Sequence, residues 1–402
     1  MDWARVSWTG LSGIQKCKLA RGATTAVTIA SSDSALPFTQ DVAAAAAGEA
    51  LQYVSLVPDP ATLHKSLPHC PGVARVFAFA ALESGLPWTL DARTWLREML
   101  ERLEAEPFTL GVAFQCSFYL LQGSDGGGWH PVDASSSCSV DSVQRSGPLL
   151  LEMVQALEQQ GVAVASFWAG SGAGQFVFEA SARLDCLRSA DALTVVKETV
   201  RAVAHRAGKK ATFVPKLASA SAASSVALRL TLTPRQGEAN LMALLGEKDS
   251  AAQRFFAGVL EHLPSLLALG CPTSNSFHHK GAGLAHGWGW ELADAPLRAH
   301  GAQHVELSTC DGTSNPYLFL GAIVAAGMDG VRRELALPEA VGAEAASDAP
   351  RLPSDLQGSL ALLEKNEVLG EAMGPELLRC FVAVKRAELE VKTQLPVLLE
   401  RF

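Results

Sequence analysis

Chemistry in this chain of 402 residues would begin with its histidines, its cysteines and the polar residues on its strands. His278, His279 and His286, with His300 and His304 further on, are imidazole donors of the kind zinc favours. Adjacent histidines on a strand point in different directions, and Gly281 and Gly283 make the intervening loop irregular. The cluster therefore reads as surface or loop histidines holding no metal. The eight cysteines, at 17, 70, 116, 138, 186, 271, 310 and 380, contain no Cys-x-x-Cys pair. Cys271 and Cys310 have no evident local base and read as packed thiols, not nucleophiles. Asp125 with Gly126, Gly127 and Gly128 lacks the lysine and the spacing of a phosphate-binding loop.

The elements that must position such residues are legible in places. From Phe108 to Leu121 the chain alternates: Phe108, Leu110, Val112, Phe114, Cys116, Phe118 and Leu120 share one face, and Thr109, Gly111, Ala113, Gln115, Ser117 and Tyr119 the other. Ser225 to Thr233 repeats the pattern, with Val226, Leu228, Leu230 and Leu232 opposite Ala227, Arg229 and Thr231. Further strands are predicted around 162–168 and 175–178, and helices from Asp91 (an N-cap), over 147–160, over 190–207 and from Ser354 onward. The stretch Pro316 to Met328 reads as a buried helix. Residues 1–85 form a small β-rich module, with the alanine run at 43–47 a helix start and prolines 58, 60, 68 and 71 marking loops. The Ala/Ser segment 218–225 and the Ala/acidic segment 339–350 read as loops.

Composition narrows the class. Apolar residues make up 48% and charged residues 18%, enough for a large core and incompatible with a disordered chain. A net charge of −8 without a basic tract argues against nucleic acid. No apolar run approaches the ~18 residues that span a bilayer, and the N-terminus lacks the basic start and apolar stretch of a signal peptide. With scattered, mostly buried thiols expected, the chain is placed in the cytoplasm or another reducing compartment, without membrane insertion.

Several collinear segments resemble the glutamine synthetase family over nearly the whole chain: DWARVSWTGLSGIQKCKL, GLPWTLDARTWL, VKETVRAVAHRAGKKATFVPKL, CPTSNSFHH, the Trp-Gly at 288–289, NPYLFLGAIVAAGMDGV and LPSDLQGSLALLEKNEVLGEAMG. The resemblance implies an α+β fold. An N-terminal β-grasp domain over 1–85 would precede a glutamine-synthetase-type catalytic domain over 86–402, with a curved antiparallel sheet and surrounding helices. It also implies ring assembly, with active sites between neighbouring subunits. The family forms γ-glutamyl phosphate from glutamate and ATP, which ammonia then attacks, using magnesium or manganese on strand glutamates and a histidine.

Carried onto this sequence, most of those positions are changed. The paired glutamates of the first strand fall on Gln115 and Ser117. Gly174 and Gln175 are kept, but the glutamates around them fall on Ala169 and Val177. The His-x-His strand becomes Ala227-Leu228-Arg229. The arginine after Asn275-Ser276-Phe277 falls on His279, the flap glutamate on Ala285, and an Asn-Arg pair on Leu292 and Ala293. The Arg-x-Glu-x-Arg triplet becomes His304-x-Glu306-x-Ser308, so that Glu306 alone keeps a ligand carboxylate. Asn275, Arg298, Asn315, Pro316 and Tyr317 are retained. Arg229 either pairs with Glu306, offsetting a buried charge, or is a solvated arginine in an open cleft.

On this pattern the leading expectation is a non-catalytic relative with a structural, assembly or regulatory role. No cofactor is expected, and the partners would be proteins, as a homo-oligomer or within a larger complex. One alternative is an ATP-dependent ligase joining glutamate to ammonia, or a γ-glutamyl group to an amine, with ATP and magnesium or manganese. Another is a small-molecule binding module with a remodelled pocket.

Overall fold

Small and branched apolar residues alternate at Ala4, Val6 and Trp8 and again at Ala74, Val76, Ala78 and Ala80, all buried, and build the first sheet. In the computed structural model the described residues are 3–38, 52–124, 127–134, 136–181, 184–218, 221–236, 240–247, 249–278, 284–342, 350–391 and 395–402. Strands β1 (Trp3–Thr9), β2 (Gln15–Ala20), β3 (Val27–Ala30), β4 (Tyr53–Pro58) and β5 (Val73–Ala81) form a five-stranded sheet in the order β2-β1-β5-β4-β3. β1 and β5 run parallel at its centre, and the other pairs are antiparallel. This is the expected β-grasp-like module. The alanine run at 43–47 lies outside the described residues, as does most of 339–350.

Helix α1 (Ala92–Leu103) follows, and the Asp91 carboxylate accepts from the Thr94 amide at its N-terminus as the sequence predicts. The second sheet uses β6 (Phe108–Gly123), β7 (Trp129–Pro131), β8 (Val164–Ala169), β9 (Gln175–Ala180), β10 (Leu184–Asp185), β11 (Lys209–Thr212), β12 (Val226–Pro234), β13 (Trp288–Trp290), β14 (Leu297–His300) and β15 (His304–Leu307). Its main path is β13-β14-β15-β12-β6-β9-β8, antiparallel except for β13 with β14; β7, β10 and β11 also pair with the long β6. The helices around this curled sheet are α2 (Val140–Glu158), α3 (Cys186–Arg206), α4 (Ala251–Gly270), α5 (Pro316–Arg332), α6 (Leu356–Lys365), α7 (Glu367–Met373), α8 (Pro375–Leu389) and α9 (Leu395–Arg401). Among the described residues no helix is long and apolar enough to cross a membrane.

Helix α2 starts earlier than the predicted 147. Ser139 caps it by accepting from the Ser142 amide at 3.3 Å, and Pro148 stands inside the helix instead of opening it. α4 and α5 pack backbone to backbone: a Cβ on Gly258 would lie 2.1 Å from the Ala326 carbonyl oxygen, and one on Gly330 equally close to that of Arg254. α5 begins at Asn315, whose side-chain oxygen accepts from the Tyr317 and Leu318 amides while its nitrogen donates to the Gly10 carbonyl. The retained Asn275 likewise clasps Lys216 through both backbone groups, at 2.8 and 3.0 Å.

A buried ionic hub joins the layers. Arg93 on α1 donates to both oxygens of Asp191 on α3 and to Asp59 beyond β4, and Tyr317 on α5 donates to Asp191 at 2.7 Å. Burial works against the charge of Arg93, but its hydrogen bonds to the Asp191 and Asp59 carboxylates prevail and hold the guanidinium charged. Two turns further along α3, Glu198 accepts from Arg5 and Gln15 of the first sheet.

Candidate active-site face

The alternation of β6 sends its apolar face against α3, where Ser189 donates to the Val112 carbonyl at 2.8 Å. The opposite face carries the candidate site, and strand register sets its rows. Arg298, Glu306, Arg229 and Ala113 stand side by side across β14, β15, β12 and β6. One step along, Ala227, Gln115, Glu179 and Ser166 do so across β12, β6, β9 and β8. Ser117, Val177 and Trp168 form the next row. At the far edge, His300 faces His304 across the β14–β15 turn.

Gln115, Ser117, Val177, Ala227, Arg229, His304 and Glu306 therefore share one face, as expected. Ala169 does not. It pairs with Phe176, whose other neighbour is Phe118, and so lies on the helix-covered face. The odd number of residues from Trp168 to Ala169 reverses the side chain. Ala285 is buried in a bridge with Arg351, the Ala293 carbonyl accepts from Arg298, and Ser308 bonds Pro296; none of these stands in the rows. His279 lies outside the described residues. His286 leaves the proposed histidine cluster and bonds the Leu260 carbonyl of α4 at 2.6 Å.

The residue that sequence reading missed is Glu179. It is the second carboxylate of this face, two residues beyond Val177, and the alternation Val177-Phe178-Glu179 is the signal that finds it. Its partner is Arg229, which donates to it through Nη1. Burial would raise the Glu179 pKa, but hydrogen bonds from Ser166, Arg229 and Gln115 prevail and hold it below the ordinary carboxylate range. Arg229 is thus neither solvated nor chiefly paired with Glu306, whose oxygen lies 3.9 Å from its Nε, beyond hydrogen-bond reach. Glu306 is 8% exposed and has Arg298 Nη2 at 3.5 Å and His300 Nε2 at 3.8 Å. The Nε groups of Arg229 and Arg298 are buried and have no hydrogen-bond partner among the described residues.

Ser117 is fully engaged. Its hydroxyl accepts from the Ser225 amide at 2.7 Å, donates to the Ser225 carbonyl at 2.9 Å and meets the Ser224 hydroxyl at 3.1 Å. Gln175 holds the same loop by donating to the Ala223 carbonyl, and Tyr119 does so at Ala222. Gly174 allows that geometry with φ of 64°, a position where a Cβ would meet the Leu120 carbonyl oxygen. Cys271 and Cys310 are buried, as expected, and burial pushes both thiols up.

The model of the glutamine synthetase catalytic domain matches residues 89–400. The chain belongs to the glutamine synthetase family. Type-1 glutamine synthetase 1 of Dictyostelium discoideum is 27% identical over 85% of this chain and 74% of its own length. Gamma-glutamylpolyamine synthetase GlnA3 of Streptomyces coelicolor is 30% identical over 76% and 71%. The glutamate–methylamine ligase of Methyloversatilis universalis is 30% identical over 80% and 78%. A solved structure described as a GmaS/ADP complex superposes with a TM-score of 0.85 at 26% identity, covering 97% of this chain and 93% of that one.

These relatives overturn the expectation of a non-catalytic, structural family member, because proteins matched over most of both chains are named as ligases. The expectation of no cofactor falls with it: glutamine synthetase family enzymes use ATP with magnesium or manganese. On this face, however, the two carboxylates Glu179 and Glu306 stand on either side of the Arg229 guanidinium, and Gln115 and Ser117 are neutral. Hard divalent ions favour several anionic oxygens. The donor set does not fit a magnesium pair.

Proposed function

We propose that the protein is an ATP-dependent ligase that joins a carboxylate, with γ-glutamyl as the leading class, to an amine. The observation that carries this reading is the shared architecture with relatives named for glutamine, γ-glutamylpolyamine and glutamate–methylamine synthesis. The reaction would proceed by attack of the carboxylate oxygen on the γ-phosphorus, with ADP leaving. The amine nitrogen would then displace phosphate from the acyl carbon and lose one proton.

This chain's own residues support an anionic reactant on the same face. The Arg229 and Arg298 side chains are 24% and 19% exposed, and guanidinium donors match phosphate and carboxylate oxygens. Glu179 and Glu306 fix both guanidinium groups in place, so their charge is oriented before a reactant arrives.

The test is ADP release by protein free of host glutamine synthetase, with ATP, glutamate and, in turn, ammonia, methylamine and a polyamine. Amine-dependent release with formation of the matching γ-glutamyl amide is expected for one of them. Absence of amide with every amine, in magnesium and in manganese, overturns the reading.

A further inference from the structure

We infer that His300, His304 and Glu306 form a binding site for a single transition-metal ion, with zinc the best match. The ligand atoms of the three residues all lie within 4.8 Å of one another. The hairpin produces this grouping: His300 and His304 are directly opposed across β14 and β15, and Glu306 is two residues beyond His304 on the same face. The imidazole rings stack with centroids 4.7 Å apart, and His300 Nε2 is 3.8 Å from a Glu306 oxygen. Donors around a tetrahedral zinc stand about 3.4 Å apart, so small side-chain rotations close the set.

The second layer is already arranged. A Glu291 carboxylate oxygen lies 2.8 Å from His300 Nδ1, and the other ring nitrogen, Nε2, is buried without a hydrogen-bond partner among the described residues. A carboxylate behind a histidine is the arrangement that orients a metal-binding imidazole and raises its basicity. Glu291 reaches it from a left-handed backbone, φ 48°, which is unusual for a residue with a side chain. Arg298, 3.5 Å from the other Glu306 oxygen, occupies the outer side of that carboxylate. The charge of Arg229 is answered by Glu179 and does not oppose the ion alone.

Two imidazoles and one carboxylate suit zinc or cobalt, whereas magnesium requires mainly oxygen donors. Three protein ligands leave a fourth position for water or a reactant oxygen. The site is a binding property and does not depend on the ligase reading.

The experiment is titration of chelator-treated full-length protein with zinc, followed by calorimetry, and with cobalt, followed by its visible absorption. One equivalent per chain is expected, with tetrahedral cobalt bands that zinc displaces. His300→Ala and His304→Ala should remove that equivalent. Glu291→Gln, on an exposed residue outside the core, should weaken binding by about 10- to 100-fold while the fold is kept. His205→Ala, at an exposed helix end, should leave binding unchanged. Wild-type protein that takes up no equivalent, or an equivalent that survives both histidine variants, overturns the inference. So does a folded Glu291→Gln variant with unchanged affinity.

Discussion

Arg93 holds both carboxylate oxygens of Asp191, at 3.0 and 2.8 Å, and the pair connects α1 to α3 beneath the sheet that carries the site. Asp191 also receives the Tyr317 hydroxyl, so its removal would strand a buried guanidinium and a phenol together. Asp191→Ala should cost about 3–5 kcal/mol in urea unfolding, the range for breaking a buried pair from one side. Tyr317→Phe removes one hydrogen bond and should cost about 1–3 kcal/mol. A loss near zero for Asp191→Ala would show that the hub contributes little to stability.

Glu179 gives an acid-limb prediction. Its folded pKa is depressed, so the stability it adds is present above the unfolded carboxylate value and is lost as pH falls through the folded one. Wild type should exceed Glu179→Gln in thermal stability at neutral pH, and the two curves should converge as the medium is acidified below about pH 4. Curves that stay parallel through that range would remove the assigned role.

Lys197 gives the opposite limb. It is buried on α3, donates to the Gly312 and Ser314 carbonyls at 3.1 and 3.3 Å, and desolvation lowers its pKa to about 8. Between that value and the unfolded pKa near ~10.4, the unfolded chain binds more protons than the folded one, so stability from this group rises with pH. Measured against Lys197→Met, wild type should gain relative stability from pH 8 to about pH 10. A falling difference would contradict the burial of a charged amine there.

Arg298 is the group whose loss should affect turnover most directly. Arg298→Ala should lower kcat/KM for ADP release by about 100-fold or more, the scale of removing one oriented charge-assisted donor. Arg298→Lys should recover only part of it, because an ammonium cannot reproduce the planar fork. Circular dichroism and an unchanged melting profile would separate this effect from unfolding.

The sequence alternation made β6 and β12 readable, and with them the shared face of Gln115, Ser117, Ala227 and Arg229, because side-chain period in a strand is fixed by backbone geometry. Ala169 was misplaced by one step, and one step is enough to move a strand residue through the sheet. Glu179 is hidden in the sequence because the family pattern marks Val177, although both residues point the same way. His300 and His304 looked like loop residues because the hairpin that opposes them is only four residues long on each strand. Arg229 meets Glu179 of a distant strand, and His300 meets Glu291 just past the end of β13, neither of which a local pattern reveals. The start of α2 was missed because Pro148 imitates a helix opening and Ser139 is an unremarkable serine until its amide partner is known.

The serine clasp at Ser117 limits what that position can hold. Its hydroxyl is tied to both backbone groups of Ser225 and to the Ser224 side chain, in a space only 8% open to solvent. A glutamate placed at 117 would lose those bonds and press its carboxylate into the loop that they fasten. Position 117 thus serves as a loop anchor, its hydroxyl committed to the neighbouring backbone before any reactant arrives.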